Sequence, residues 1–303
     1  MATTSDYFKL HFLVFLWGFT AILGKLVSIP AVEMVFYRTL LAAIGMGVVI
    51  VILRGSFMVD KSDLIKMLLT GVIVASHWLT FFISGRISNP STSLVGFATC
   101  SLWAAFIEPM VKKNKIQGVE VGLGLVVILG LYLIFSFDFQ YPMGLFLGIL
   151  SGLTCAMFAV INSQLVTRVN SLTITFYEMI GACATVVVFF PVYTSYFATD
   201  GQLHLAPSWS DWIWIGILSL VCTVYAYAVA INLTKKLSVF FIQLTLNLEP
   251  VYGIILALIV FGQSEVMSWN FYLGTVVILG AVIAYPFVKD RFTRPKPFPH
   301  TGP

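Results

Sequence analysis

Ten apolar runs, each about the 17–25 residues that a helix needs to cross a bilayer, decide what this chain can fold into. They fall at residues 7–28, 31–53, 63–85, 89–110, 118–136, 141–165, 171–196, 209–233, 238–261 and 267–288. In hydrocarbon each backbone N–H and C=O must find a partner inside the protein, so spanning runs of this length are helices. Composition agrees: 59% of the 303 residues are hydrophobic and 10% charged, where a soluble domain carries about 25% charge. Mean hydropathy is +0.97. The expected fold is an all-α integral membrane protein with ten transmembrane helices.

Lys and Arg in the short loops set the orientation. Lys9, Arg54, Lys61, Lys66, Lys112, Lys113, Lys115, Arg168, Lys235, Lys236, Lys289, Arg291, Arg294 and Lys296 share one side, and only Lys25 and Arg86 lie on the other. The remaining cation, Arg38, lies within a span. Fourteen against two puts the N- and C-termini in the cytoplasm. Trp209, Trp212 and Trp214 open the eighth span at the outer face, as an aromatic belt would. The proline-rich tail, 289–303, reads as a disordered cytoplasmic segment. The long first run has no cleavage site, so it reads as a retained anchor.

The chain also repeats itself. Leu123-Gly-Leu-Val-Val-Ile-Leu-Gly130 recurs as Leu273-Gly-Thr-Val-Val-Ile-Leu-Gly280, and Phe36-Tyr37-Arg38 as Phe176-Tyr177-Glu178. The second run thus matches the seventh and the fifth the tenth. Five helices per repeat is an odd number, so the two halves (7–136 and 141–288) are expected to insert oppositely. Inverted repeats place a solute site near the midplane and open it to either side by rocking.

Polar residues inside the runs are the candidates for that site. An ionisable group at mid-bilayer costs about 2.5–3.5 kcal/mol on insertion scales unless it faces a partner or a wet cavity. At about 1.5 Å per residue, Arg38 lies roughly 10 Å below the outer face, His77 roughly 9 Å below it, and Glu249 near the middle. The three are expected around one cavity, with Arg38 and Glu249 close enough to meet. Glu178 lies roughly 10 Å above the inner face, as a coupling or gating residue.

Arg38 reads as a forked donor to a substrate carboxylate, as a counter-ion to Glu249, or as a side chain snorkelling to the outer face. His77 reads as a substrate contact, a proton-coupling group or a packing histidine. Trp17, Trp78, Trp103 and Tyr225 are candidates for stacking on a flat or cationic solute. Asn162 and Gln164, with Gln243 and Asn247, are amides that need partners in the bilayer, from substrate or from other helices. Gly144, Gly148, Gly152 and Ala156 give the sixth helix a smooth packing face.

Several function classes find no support. Cys100, Cys155, Cys183 and Cys222 each fall in a different apolar run and read as small buried residues. His11, His77, His204 and His300 are scattered, with no metal-ligand spacing. There is no GxxxxGK[ST] phosphate loop, and no basic patch for nucleic acid beyond Lys112–Lys115. No cofactor and no metal is expected, and an enzyme is disfavoured.

Trp17-Gly18, Phe36-Tyr37-Arg38, Ser88-Asn89-Pro90, and Leu248-Glu249-Pro250 with Glu265 resemble the drug/metabolite transporter superfamily, EamA type, over about residues 8–288. The resemblance implies a ten-helix secondary transporter, usually exporting amino acids or other small metabolites by alternating access. It implies a central cavity from helices one to four and six to nine, with five and ten peripheral. Similarity to aromatic amino acid exporters implies aromatic and histidine residues from helices three and four, here His77, Trp78 and Trp103. Glu108-Pro109 copies Glu249-Pro250 by letters, but Pro109 lies 15 residues before Gly124 and Pro250 24 before Gly274. By spacing Cys100 is the equivalent of Pro250, and Glu108 reads as an ion pair or gate element beside Lys112 and Lys113. The expected protein is a carrier in the cytoplasmic (inner) membrane, monomer or weak homodimer, with a small-molecule substrate, the lipid bilayer and a coupling proton as partners. A membrane-embedded enzyme, a channel or a sensor is the alternative.

Overall fold

The computed structural model describes residues 2–88, 90–135, 141–198, 200–249, 251–252 and 269–293. Among these the regular structure is helical, joined by short turns and loops: α1 (Thr4–Gly18), α2 (Thr20–Leu26), α3 (Ala31–Ile52), α4 (Lys61–Ile87), α5 (Pro90–Phe97), α6 (Cys100–Val111), α7 (Gly118–Phe135), α8 (Pro142–Leu165) and α9 (Ser171–Tyr196). Then come α10 (Trp209–Gly216), a π-helical segment (Ile217–Tyr225), α11 (Ala226–Leu233), α12 (Val239–Leu246) and α13 (Trp269–Thr293). Six helical runs among the described residues are long and apolar enough to cross a membrane, and Gly118–Leu133 and Tyr272–Val288 are shorter apolar helices. Pro250, Glu265 and the tail from 294 onward lie outside the described residues.

Several expected helices are interrupted. The first breaks at Phe19, where the Thr20 hydroxyl donates to the Trp17 carbonyl at 2.8 Å. The fourth breaks at residues 98–99, where the Thr99 hydroxyl takes the Gly96 carbonyl, 2.7 Å. The ninth ends its first helix at Leu246 and turns through Asn247 and Leu248 before Glu249. Gly124 and Gly274 stand 150 positions apart, and that offset carries the break at 98–99 onto 248–249. Repeat-equivalent helices therefore break within one residue of equivalent places, and they touch there: Asn247 Nδ2 donates to Ser101 Oγ at 3.2 Å.

Close helix crossings are made by glycine. The α8 stripe lies against α5 and the following turn: a Cβ at Gly148 would meet the backbone of Gly96 and Ser93, and one at Gly152 the Phe97 carbonyl and Thr99. Gly71 of α4 and Gly181 of α9 form a second crossing, absent from the sequence reading, where a side chain on either would strike backbone of the other helix. The repeated LG-x-VVILG blocks pack on each other, with Gly130 of α7 facing Gly274 and Ile278 of α13.

Polar ties close the two ends of the bundle. At the end holding the α3 and α10 N-termini, the Asp211 carboxylate accepts from Ser28 N (2.7 Å) and Oγ (2.6 Å) and from Ser208 N (2.9 Å) and Oγ (2.8 Å). Arg86 Nη2 there donates to the carbonyls of Gly24, Val27 and Ile29, 3.1–3.2 Å, which the end of α2 leaves open. At the opposite end Lys236 holds Asp6 (2.9 Å), and Arg168 grips Asp63 through two 2.7 Å bonds.

Candidate functional site

A cavity with ≈ 830 Å³ of space not filled by atoms, mouth included, lies within the bundle. Its lining comes from α1 to α5, α8, the π segment, α11, α12 and Glu249, and not from α7 or α13. This matches the expected division into central and peripheral helices, except that α9, in the seventh position, contributes no lining residue. The lining runs from Thr20 and Phe82 to Thr234, beside Lys236 and Asp6. The lining thus extends to Thr234 toward one end of the bundle, and the Asp211 and Arg86 ties lie at the other.

Seven of the sequence-predicted residues meet here: Trp17, Arg38, His77, Trp78, Asn162, Gln243 and Glu249. Arg38 is buried, yet its protein bonding is sparse. Nε donates to Thr223 Oγ1 at 3.1 Å, and the guanidinium carbon sits 4.1 Å over the Trp78 ring and 5.9 Å from that of Phe82. Stacking on Trp78 fixes the plane of the fork. Among the described residues its terminal nitrogens meet no acceptor within hydrogen-bond distance. The expected Arg38–Glu249 ion pair is not formed: both line the cavity, and no salt bridge joins them. A guanidinium and a carboxylate therefore stand apart in one cavity.

The π segment explains how Arg38 and Trp17 are held. Its wider turns free carbonyls from the α pattern. The Thr223 hydroxyl takes the Leu218 carbonyl five residues back at 2.9 Å, and the Trp17 indole N–H takes that of Cys222 at 2.9 Å. His77 Nδ1 lies 2.8 Å from Ser151 Oγ and 3.0 Å from Ser151 O, so α8 fixes the ring, and Nε2 meets no protein group among the described residues. Rings of Phe81, Phe97 and Phe158 surround it at 5.4–6.3 Å between centroids. The wall is aromatic with few polar points. A rigid cation, a carboxylate and an imidazole edge are its means of orienting a solute.

Three expected lining residues lie elsewhere. Trp103 packs within the bundle with its indole nitrogen buried and unpartnered. Tyr225 faces outward beside Phe12, ring centroids 6.4 Å apart, because the π turn rotates it off the cavity face. Asn247 spends its Nδ2 on Ser101 and on the carbonyls of Gln243 and Leu244, closing the break between helices. Gln164 does not line the cavity either.

Both expected coupling or gating residues have defined partners. Glu108 bonds Lys112 at 2.7 Å, as the sequence predicts, and also accepts from Val239 N (3.1 Å) and Phe240 N (2.8 Å), capping α12. It is a tie between α6 and α12, and it lines no part of the cavity. Glu178 is buried behind the cavity, bonded to Asn162 and Tyr227. Of the four free cysteines three are buried and Cys183 half-buried; Cys155 and Cys222 line the cavity. Tyr227 and four phenylalanines of the lining were missed by sequence reading. With 26 Phe and 12 Tyr in the chain, no pattern singles them out.

A solved structure titled "Crystal structure of protein" is similar in fold, with a TM-score of 0.78 at 12% identity, over 97% of this chain and 100% of that one. None of the curated proteins matches in sequence. The model of the EamA-like transporter family matches residues 7–136 and 142–285.

Proposed function

Since the chain belongs to the EamA-like transporter family, and is thus a multi-pass membrane transporter of small molecules, we propose that it is a secondary carrier of amino acids or closely related zwitterions. It works in the export direction, across the cytoplasmic membrane, by alternating access. The single observation that carries this reading is Arg38, whose fork opens into the cavity with Glu249 in the same aromatic chamber. A carboxylate would lie in the fork by paired N–H···O bonds, an ammonium would face Glu249, and a flat side chain would lie among Trp17, Trp78 and Phe158. In this reading ten helices form two inverted five-helix repeats, 7–136 and 141–288, with both termini cytoplasmic. The cavity is then open inward at Thr234 and closed outward by Asp211 and Arg86, as an exporter waiting for solute would be.

The test is counterflow of labelled L-phenylalanine and of a panel of amino acids in proteoliposomes, with thermal shift of the purified protein as the binding assay. Saturable counterflow and a stabilising shift are expected, and both are lost in Arg38→Lys, which keeps the charge but not the fork. Glu249→Gln is expected to weaken binding of the amino acid more than of its deaminated analogue. Ohmic current, or product formed without flux, would replace the carrier by a channel or an enzyme. Full counterflow in Arg38→Lys would remove the fork from the reading.

A further inference from the structure

We propose that Glu178, Asn162 and Tyr227 form a proton-binding site one layer behind the solute cavity, and that its occupancy is linked to the solute. The link to solute rests on the carrier reading above; the proton site itself does not. Glu178 and Asn162 are almost wholly buried, at 0% and 1% exposure. Their hydrogen bonding is lopsided. The Tyr227 hydroxyl donates to Glu178 Oε2 at 2.8 Å, Asn162 Nδ2 donates to the same oxygen at 3.2 Å, and to the Tyr227 oxygen at 3.1 Å. Glu178 Oε1 and Asn162 Oδ1 are buried with no partner. The cluster therefore holds two bare acceptors and lacks a donor. Among the described residues no cation pairs with Glu178.

A charged carboxylate in that position would be buried without a counter-ion and with one oxygen unsolvated, a cost of several kcal/mol. One proton on Oε1 removes the charge. A hard metal cation is the poorer occupant, since such ions take about six oxygens, and the cluster offers a carboxylate, one amide oxygen and one phenol. The backbone holds Glu178 there, because Gly71 of α4 rests on its carbonyl and leaves α9 no room to turn.

Among the described residues, Tyr227 is the one charged or titratable side chain, on the elements packed against α9, that bonds Glu178. On α3, Glu33 accepts from His204 N and Arg38 is held by Thr223 and Trp78; on α4, Asp63 pairs with Arg168 and His77 with Ser151. On α11, Tyr227 is the titratable group in contact. Asn162 and Tyr227 line the cavity and Glu178 does not, so these two side chains separate the proton from the solute. The Tyr227 ring lies 6.4 Å from that of Trp78, on which Arg38 stacks. A solute that displaces Trp78 or Tyr227 opens the path. The Oε1–H bond then breaks, its electron pair stays on the carboxylate, and the proton passes to cavity water.

Infrared difference spectra of the purified protein, titrated with acid and base, test the site without any substrate. The expected result is the carbonyl band of a protonated carboxylic acid at neutral pH, lost in Glu178→Gln. In Tyr227→Phe, which removes a donor to the carboxylate, its midpoint should move to higher pH. A band unchanged in Glu178→Gln overturns the proposal, as does one that vanishes at constant pH when sodium replaces choline, which would make the occupant a metal cation. Should Glu178→Gln not be recovered folded, an unmoved midpoint in Tyr227→Phe overturns it equally.

In proteoliposomes an imposed pH gradient is expected to drive phenylalanine accumulation in the parent, while Glu178→Gln keeps exchange and loses the response to the gradient. Accumulation by Glu178→Gln equal to the parent's overturns the link. The band present with no counterflow of any amino acid supports the proton site and overturns the transport reading.

Discussion

Replacing Gly71 by alanine tests whether the α4–α9 crossing sets the geometry of the buried cluster. The added methyl carbon would lie 2.8 Å from Ala182 N and 2.9 Å from Gly181 C, closer still to the Glu178 carbonyl, and all three are backbone atoms that cannot rotate away. Relieving that overlap means parting two long helices, and overpacking of this kind costs about 1–3 kcal/mol. At tenfold per about 1.4 kcal/mol, the folded-to-unfolded ratio falls by roughly one to two orders of magnitude. Gly122 of α7 supplies the control, since a Cβ there meets nothing within 4 Å. Glycine to alanine in an open helix position is neutral or stabilising by up to about 1 kcal/mol. The two variants should therefore move in opposite directions when unfolded reversibly in mixed detergent–SDS micelles. Equal stability of Gly71→Ala and Gly122→Ala would refute the backbone contact as the cause.

Two further perturbations address the ends of the bundle. Asp211→Asn halves the acceptor capacity that serves Ser28 and Ser208, with an expected loss of about 1–3 kcal/mol. It should also speed labelling of Cys155 and Cys222 by a membrane-impermeant thiol reagent applied from that side; an unchanged rate would show that the closure lies elsewhere. Glu108→Gln removes the charge from the α12 N-terminus together with the Lys112 pair. It should cost about 1–2 kcal/mol in the same micelles, and a variant as stable as its parent would mean the N–H groups are capped by other means.

Hydropathy made the helices legible because a bilayer admits little else, and it made the polar exceptions conspicuous for the same reason. Arg38, His77, Asn162, Gln243 and Glu249 were found as polar groups in apolar runs, and the cavity gathers them. Depth placed Arg38 and Glu249 at one level, but it carries no azimuth, so a shared cavity was legible and a contact was not. Tyr225 and Trp103 failed for that reason. Each lies at a plausible depth, and the direction it faces depends on the π turn in one case and on packing within the bundle in the other. The Gly71–Gly181 crossing was invisible because the two glycines lie in different helices and form no stripe. Tyr227 was hidden by abundance, as one phenol among twelve. Glu108 shows the converse: its charge signalled an ion pair with Lys112, while its bonds to the α12 backbone needed a neighbour that loop spacing cannot name.

The π-helical segment also has a bearing on chain length. An α-helix that loses one residue turns every later side chain by about 100°, which in a membrane would roll an entire face into lipid. A π turn holds one residue more than an α turn, so a deletion between Ile217 and Tyr225 can be absorbed by tightening to α while Ala226–Leu233 keeps its facing. What such a shortened chain forfeits is local: the spare carbonyl at Cys222 that docks Trp17, and the slack that lets Thr223 reach Arg38. The surplus residue therefore serves the cavity, and the span itself would manage without it.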